Sequence, residues 1–286
     1  MPEVKLSHPD KVLFPEDGLT KADLAEYYGA VAGWMLPHVR DRPLNLWRWN
    51  TGIGGRLVVQ QDIPKGAPDW VKRVETPRRK GGSIEHVLCQ NADTLRWLAN
   101  QNCITPHVWS ARRDRLDRPD RIVFDLDPEE GSAFALVREA ALAVGDRLRE
   151  AGLAPFAMTT GSKGVHVVAP LKRTRDSEWV RERARQLGAE VAEASPDTLT
   201  TEWRKDKRGG RILVDTARNT YGQTVVAPYA VRALPGAPVA TPLRWEELSD
   251  PELSARSWTL RTVGERLARH GDPWAGIAGH AATLPG

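Results

Sequence analysis

The stretch RIVFDLDP, from Arg121 to Pro128, constrains this chain more than any other segment. Its apolar residues describe a short buried strand. Its two carboxylates, Asp125 and Asp127, stand two residues apart and so leave that strand on one side, with Phe124 and Leu126 on the other. Pro128 ends the strand, because a proline has no amide hydrogen to give a sheet ladder. Two like charges this close repel and raise each other's pKa unless a cation neutralises them, which makes the pair a natural seat for Mg2+ or Mn2+. Asp-x-Asp alone is a short pattern, and a turn begun by Asp127 with Asp125 solvated explains it equally well.

A third acidic residue shifts the balance. Asp215 ends another apolar strand, RILVD, and a neighbouring strand is able to bring it onto the pair. Three carboxylates around two metals suit phosphoryl transfer, in which metal lowers the pKa of an attacking 3′-hydroxyl and stabilises charge on the phosphorus. A turn before Arg218 and Asn219 is the plainer reading of Asp215.

The surrounding pattern is mixed α/β. Thr20 caps a helix over KADLAEYYGAVAGWMLPHV, with Leu24, Tyr27, Tyr28 and Val31 at helical spacing, and the strand PLNLWRW follows. SIEHVLC alternates like a strand, and NADTLRWLANQNC places Leu95, Leu98 and Ala99 on one helical face. After RIVFDLD, the segment SAFALVREAALAVGDRLREAG carries Phe134, Val137, Ala141, Val144 and Leu148 along one stripe. Strands FAMTT and GVHVVAPL come next, then a charged helix from about Asp176 to Ala194, strands RILVDTA and TVVAPYAVR, and a last helix in TLRTVGERLARHG. No repeat or Ser/Gly linker interrupts the chain, so a single domain with two lobes around a cleft is expected.

The turn TGSKGVH, Thr160 to His166, joins two of these strands. Its glycines let backbone N–H groups converge on an anion, and Thr160, Ser162 and Lys163 add donors. The spacing is not that of a Walker A loop and a strand follows, so an ordinary hairpin turn has the same appearance. His166 leaves its strand on the face opposite Val165 and Val167, where it meets either a triphosphate or a carboxylate, or serves only the fold. Arg208 in KRGGR and Arg232 in PYAVR flank apolar strands and suit bidentate phosphate contacts, with surface ion pairing as the alternative.

The 286 residues suffice for a substantial core without disulfides. The two cysteines, Cys89 and Cys103, form no CxxC pair, and neither a signal peptide nor a membrane-spanning apolar run is visible, which points to a soluble protein of a reducing cytoplasm. A net charge of +4 with local basic clusters such as RRDRLDRPDR permits a polyanionic partner without requiring one.

Taken in order, FDLDP, TGSKGVH, RILVD and VAPY closely resemble the polymerase domain of bacterial ligase D, in the archaeo-eukaryotic primase superfamily. The likeness spans nearly the whole chain, from LSHPDKVLFP (Leu6 to Pro15) and Thr20-Lys21, through APDW (Ala67 to Trp70) and WLANQ (Trp97 to Gln101), to GDPW (Gly271 to Trp274). It implies a primase-polymerase fold: an N-terminal lobe over about 1–105, a catalytic module related to RNA-recognition domains over about 106–240, and a C-terminal helical extension over about 241–286. It implies Asp125, Asp127 and Asp215 as catalytic metal ligands for Mn2+ or Mg2+. Thr160, Ser162, Lys163, His166, Arg208 and Arg232 fall at the incoming triphosphate, with Arg48 and His107 as further nucleotide contacts. Lys11 and Lys21 match a pair that holds the 5′-phosphate at a DNA break.

The implied activity is template-dependent nucleotidyl transfer onto broken or gapped DNA from NTPs or dNTPs, with ribonucleotides and manganese often preferred. Primer synthesis de novo, or a bridging module with little catalysis, are the alternatives. A Ku-like protein and an ATP-dependent ligase are implied partners. The chain is expected to act as a monomer in a bacterial or archaeal cytoplasm at the nucleoid, as a stand-alone enzyme or an excised domain. No Lys-x-Asp-Gly ligase signature is present. Three departures stand out. Val58 and Val59 replace an aromatic pair that packs on the template, Arg218 stands where a polar amide is usual, and Thr160 replaces a serine.

Overall fold

The computed structural model describes residues 4–286. The chain enters through a hairpin of β1 (Val12–Phe14) and β2 (Leu19–Thr20), followed by helices α1 (Lys21–Ala30) and α2 (Ala32–Val39). Strands β3 (Pro43–Trp49), β4 (Leu57–Gln60), β5 (Arg73–Pro77) and β6 (Ser83–Leu88) come next, then α3 (Ala92–Asn100) and β7 (Cys103–Trp109). The middle holds β8 (Arg121–Asp127), α4 (Phe134–Glu150), β9 (Phe156–Thr159), β10 (Val165–Pro170) and α5 (Ser177–Ala194). After these come β11 (Leu199–Thr200), β12 (Ile212–Asp215), β13 (Thr224–Val226), β14 (Pro242–Leu243) and α6 (Val263–His270). None of the described helices is long and apolar enough to cross a membrane.

These elements form two compact units. The first takes the chain up to Asp114 and two later returns, Thr224–Ala240 and Trp258–Arg269. The second takes Arg115–Gln223, Thr241–Ser257 and His270–Gly286.

In the first unit a sheet runs β13-β7-β3-β6-β5, with β4 also paired to β3, and every one of these pairings is antiparallel. Helix α1 begins where the sequence places it. The Thr20 hydroxyl accepts the Asp23 amide, and the Asp23 carboxylate accepts the Thr20 amide at 2.7 Å, a reciprocal cap. Leu24, Tyr27 and Tyr28 are buried, and the two phenols remain satisfied by donating to the carbonyls of Tyr229 (2.8 Å) and Ile104 (2.7 Å). The helix read through KADLAEYYGAVAGWMLPHV is two helices, broken at Val31, and Pro37 lies inside the second. The strand read as TVVAPYAVR stops at Val226, since Pro228 has no ladder donor and Tyr229 adopts φ +65°. Cys89 and Cys103 are buried and unpaired, and burial pushes the Cys103 thiol up to about 12, so it packs as a small hydrophobe.

The second unit is organised around β8. Its sheet runs β11-β12-β8-β10-β9-β14. Read along the chain, β8-α4-β9-β10-α5-β12 is strand-helix-strand-strand-helix-strand, and the spatial order of those four strands is β12-β8-β10-β9, a split βαβ topology. Val137, Ala141, Val144 and Leu148 of α4 are buried along the stripe read from the sequence. Helix α5 starts at Asp176, whose carboxylate accepts the Trp179 amide at 2.9 Å. Gly188 of α5 lies against Val214, and Val214 pairs with Leu126, so Leu126 and Phe124 face the helix layer. The alternate residues of β8 then point to the opposite face.

His86 in β6 gives the first unit a pH dependence. It is buried, and its Nδ1 meets the Thr76 hydroxyl at 2.9 Å while its Nε2 has no partner. Desolvation drops its pKa from 6.5 to about 4, so the unfolded chain binds this proton more readily than the folded one. Stability is present above pH 6.5 and is lost as pH falls toward about 4. Thermal unfolding across that window is expected to show a smaller acid loss for His86→Gln than for the natural chain; parallel curves would contradict this.

Candidate metal and phosphate site

The register of the second sheet brings the acidic residues together. Asp125 of β8 pairs with Asp215 of β12 on one side and with His166 of β10 on the other. All three leave the sheet on the face away from α5, and Asp127 joins them two residues further along β8. Carboxylate oxygens of Asp125, Asp127 and Asp215 lie within 4.8 Å of one another. Asp125 is nearly buried and Asp215 is 2% exposed, so little water is at hand to screen them.

The charges on this face are only partly balanced. His166 Nε2 is 3.3 Å from Asp125 Oδ1, and its Nδ1 is buried without a partner. Arg218 Nε stands 3.7 Å from Asp125 and 3.6 Å from Asp215. Arg218 is held there because Asn219 ties the turn after β12 to β8, its amide bonding both the amide (2.8 Å) and the carbonyl (2.7 Å) of Val123. The Ala217 amide donates to Asp215 at 2.7 Å. Even so, burial and then the neighbouring Asp125 charge hold the Asp127 carboxyl above the usual carboxylate range, against the opposing pull of Lys163, His166 and Arg218. Asp215 is likewise raised, by burial above all. Three hard oxygen donors converging in a deficit of positive charge fit a hard divalent cation.

The turn between β9 and β10 closes one side of this face. The Thr160 hydroxyl donates to the Gly164 carbonyl at 3.1 Å and accepts from the amides of Gly164 (3.1 Å) and Ser162 (3.3 Å), which folds the turn around one side chain. Gly161 takes φ +65°. Gly164 crosses β8 so closely that a Cβ there would sit 2.1 Å from the Leu126 carbonyl oxygen, a space that only glycine fits. Lys163 is exposed and donates to the Pro128 carbonyl at 3.3 Å. Arg208 is buried and pins its own loop, donating to the carbonyls of Glu202 (3.0 Å) and Trp203 (2.9 Å). Trp203 is 58% exposed on that loop, which neither periodicity nor a motif singles out.

The remaining residues read from the sequence lie in the first unit. Arg48 donates to the Gln101 carbonyl at 2.7 Å and bonds Gln60. His107 stacks on Trp47, with ring centroids 3.9 Å apart. Arg232 follows the irregular segment after β13. Lys11 donates to the Asn50 carbonyl. Lys21 is buried at the start of α1 and donates to the carbonyls of Ser7 (2.8 Å) and Asn100 (3.2 Å). Its pKa is lowered by burial first and then by Lys11, which places the two ammonium groups within electrostatic reach of each other.

The raised carboxylates yield a stability test. The folded chain holds these protons more tightly than the unfolded one, so the metal-free protein loses stability as pH rises from 3.8 through the raised values of Asp127 and Asp215. At neutral pH, Asp127→Asn is expected to raise the melting temperature of the metal-free protein by about 2–4 °C, the equivalent of roughly 1 kcal/mol in a domain of this size. The same variant is expected to lose most of the stabilisation that Mn2+ gives the natural chain. A lower melting temperature without metal would contradict the repulsion.

The chain is similar to known proteins in both sequence and fold. Residues 20–274 match the family model described as the LigD primase-polymerase domain. The multifunctional non-homologous end joining protein LigD of Mycolicibacterium smegmatis is 33% identical over 94% of this chain, and that of Pseudomonas aeruginosa is 34% identical over 96%. The chain spans about a third of the length of these relatives, 35% and 33% respectively. Among solved structures, the polymerase domain of Mycobacterium tuberculosis ligase D in complex with DNA superposes with a TM-score of 0.90 at 33% identity, covering 98% of this chain and 99% of that one. The mixed α/β fold, with its carboxylate-bearing sheet, therefore places the chain in the LigD primase-polymerase domain family of nucleotidyltransferases.

Proposed function

We propose that this chain is a template-dependent polymerase that fills gaps or extends ends at DNA breaks, taking NTPs in preference to dNTPs. The observation that carries the reading is the cluster of Asp125, Asp127 and Asp215 beside the Thr160–Gly164 turn, within a sheet shared with a DNA-bound relative. In the reaction the primer 3′-oxygen bonds to the α-phosphorus, and the bond from that phosphorus to its bridging oxygen breaks. The electron pair leaves on pyrophosphate, and the hydroxyl proton passes to solvent.

The three aspartates would hold the divalent cations, Mn2+ or Mg2+. When bound, such ions lower the pKa of the 3′-hydroxyl and neutralise charge on the transferring phosphoryl group. Lys163 and the Ser162 hydroxyl bind the phosphates, and the Thr160 hydroxyl, which accepts from the amides of Ser162 and Gly164, keeps the turn that carries them in shape. His166 orients Asp125 through Nε2. Arg218 bridges Asp125 and Asp215 and offsets part of their charge. Arg208 fixes the loop before β12 and retains Nη1 for the triphosphate. Arg232, Arg48 and His107 are proposed as further nucleotide contacts on the family resemblance.

Lys11 and Lys21 form the seat for a 5′-phosphate, since two neighbouring ammonium groups among carbonyls gain most from a dianion. Val58 and Val59 are exposed on β4 and offer bases an aliphatic surface, so template grip rests more on phosphate contacts than on stacking. Because the relatives are three times as long and are named for end joining, a Ku-like end-binding protein and an ATP-dependent ligase are the proposed partners.

Primer extension on a gapped duplex bearing a 5′-phosphate tests the reading. The natural chain is expected to add nucleotides with Mn2+, and Asp125→Ala is expected to reduce addition at least ~10²-fold, as loss of a metal ligand does. Undiminished extension by that variant would place the metal elsewhere. For the phosphate seat, Lys11→Ala is expected to weaken binding to 5′-phosphorylated gaps about tenfold, the effect of one charge-assisted contact. Equal weakening on 5′-hydroxyl gaps would count against the seat.

A further inference from the structure

Of the eleven tryptophans, Trp203 alone is exposed, and its ring has no aromatic, cationic or hydrogen-bonding partner among the described residues. An indole left in water forfeits the burial that the other ten obtain at least in part. The loop that presents it is nevertheless tightly held. Arg208 is buried and donates to the carbonyls of Glu202 (3.0 Å) and Trp203 (2.9 Å), and Arg211 donates to those of Arg208 (2.6 Å) and Lys207 (3.1 Å). The Arg204 amide donates to the Glu202 carboxylate at 2.9 Å. Two arginine side chains thus fix the backbone around Trp203, while nothing covers its ring.

The surroundings of the ring are cationic. From Glu202 to Arg211 the loop carries five basic residues and two acidic ones. Arg204 is paired with Asp206 at 2.9 Å, whereas Lys205 and Lys207 are exposed and have no side-chain partner among the described residues. Lys205 lines an open cleft of about 570 Å3 together with Lys163 and Arg256, and the Arg256 Nε donates to the Ser162 carbonyl at 2.9 Å. Glu129 and Glu130 line the same cleft and repel a phosphate from the part that they form. The loop also lies beside the carboxylates. It leads into β12, which pairs Leu213 with Asp127, and Lys205 shares the cleft with Pro128, the residue after Asp127.

One aromatic ring among lysines is a poor seat for a protein, which needs a wider apolar surface. It suits an unpaired base, whose π-face stacks on an indole whatever the base is, with the flanking phosphates on the lysines. A base inside a duplex has both faces taken by its neighbours.

We propose that Trp203 is a stacking platform for an unpaired base of single-stranded DNA beside the carboxylate site, with Lys205 and Lys207 on the phosphates that flank this base. The proposal rests on the reading of that site as a nucleotidyl-transfer centre acting at DNA breaks, and it names the part of the DNA that the second unit holds by stacking. It adds one stacked base to a grip that otherwise rests on phosphate contacts, since the exposed Val58 and Val59 have no π-face. Because the loop is held in advance by Arg208 and Arg211, little order is lost when the base lands.

Fluorescence anisotropy of labelled DNA without nucleotide tests this, using a duplex that carries a single-stranded extension and the same duplex made blunt. Trp203→Ala is expected to bind the extended duplex about tenfold more weakly than the natural chain, the loss of one stacked base, and the blunt duplex within about twofold. Trp203→Phe is expected to recover most of the loss and Trp203→Leu little of it, because leucine is apolar but has no π-face. Abasic sites throughout the extension are expected to weaken the natural chain about tenfold and to leave the alanine variant nearly unchanged, since both changes remove one interaction. Trp203 is exposed, so each variant is expected to melt with the natural chain. Equal loss on both duplexes, a leucine variant that binds as well as the phenylalanine one, or an abasic penalty as large in the alanine variant would overturn the platform. So would a natural chain that binds the extended duplex no better than the blunt one. Primer extension judges the polymerase reading separately. Stacking at Trp203 by a chain that adds no nucleotide would overturn that reading and leave the platform standing. Nucleotide addition by a natural chain whose Trp203→Ala variant binds both duplexes equally well would overturn the platform alone.

Discussion

The candidate site of the second unit is defined by one unfavourable interaction, the repulsion among Asp125, Asp127 and Asp215. Backbone pairing forces it. Once β8 lies between β12 and β10 in the observed register, Asp125 has Asp215 on one side and His166 on the other, and carboxylate oxygens of the three aspartates lie within 4.8 Å of one another. A shift of one residue would exchange the two faces of the strand, turning Phe124 and Leu126 out and the aspartates into the helix layer. The hydrophobic packing of α5 on Val214, and by register on Leu126, thus holds the carboxylates in their unfavourable arrangement. Energy from the core maintains a local charge deficit, and that deficit is what suits the site to a cation.

Around this centre the polar side chains divide into those that shape backbone and those that remain available. Thr160 has its hydroxyl committed to the turn, Asn219 ties the turn after β12 to β8, and Arg208 holds the loop ahead of β12. Lys163, Lys205 and Arg256 keep donors toward the cleft. The first group accounts for the geometry of the site, and the second leaves cationic donors exposed beside it. In the first unit, Lys11 and Lys21 are each bonded to a backbone carbonyl, and Lys11 helps to lower the pKa of Lys21.

Local elements were legible in the sequence wherever one physical signal dominated. The Thr20 cap, the stripe on α4, the Asp176 start of α5 and the Asp-x-Asp strand all express local rules, and all appear in the structure. The break at Val31 is hidden by continuous apolar spacing, whereas the early end of β13 follows from Pro228 and the left-handed Tyr229, the first of them a signal the sequence carries. The short strands β11 and β14, of two residues each, have no period to detect. At the site, motif order gave the aspartates and the Thr160 turn. The exposed Trp203, the pairing of Arg218 with two aspartates, and the link from Arg256 to Ser162 arise only from tertiary contacts.

The central claim is that the three aspartates form a cation site. Anomalous diffraction from crystals grown with Mn2+ and a non-hydrolysable nucleotide tests it most directly. The account predicts anomalous peaks within coordination distance, roughly 2.0–2.4 Å, of oxygens on Asp125, Asp127 and Asp215, with Arg218 withdrawn from the carboxylates it now bridges. An ordered nucleotide with no anomalous density at those oxygens, or with Arg218 still seated between them, would contradict it.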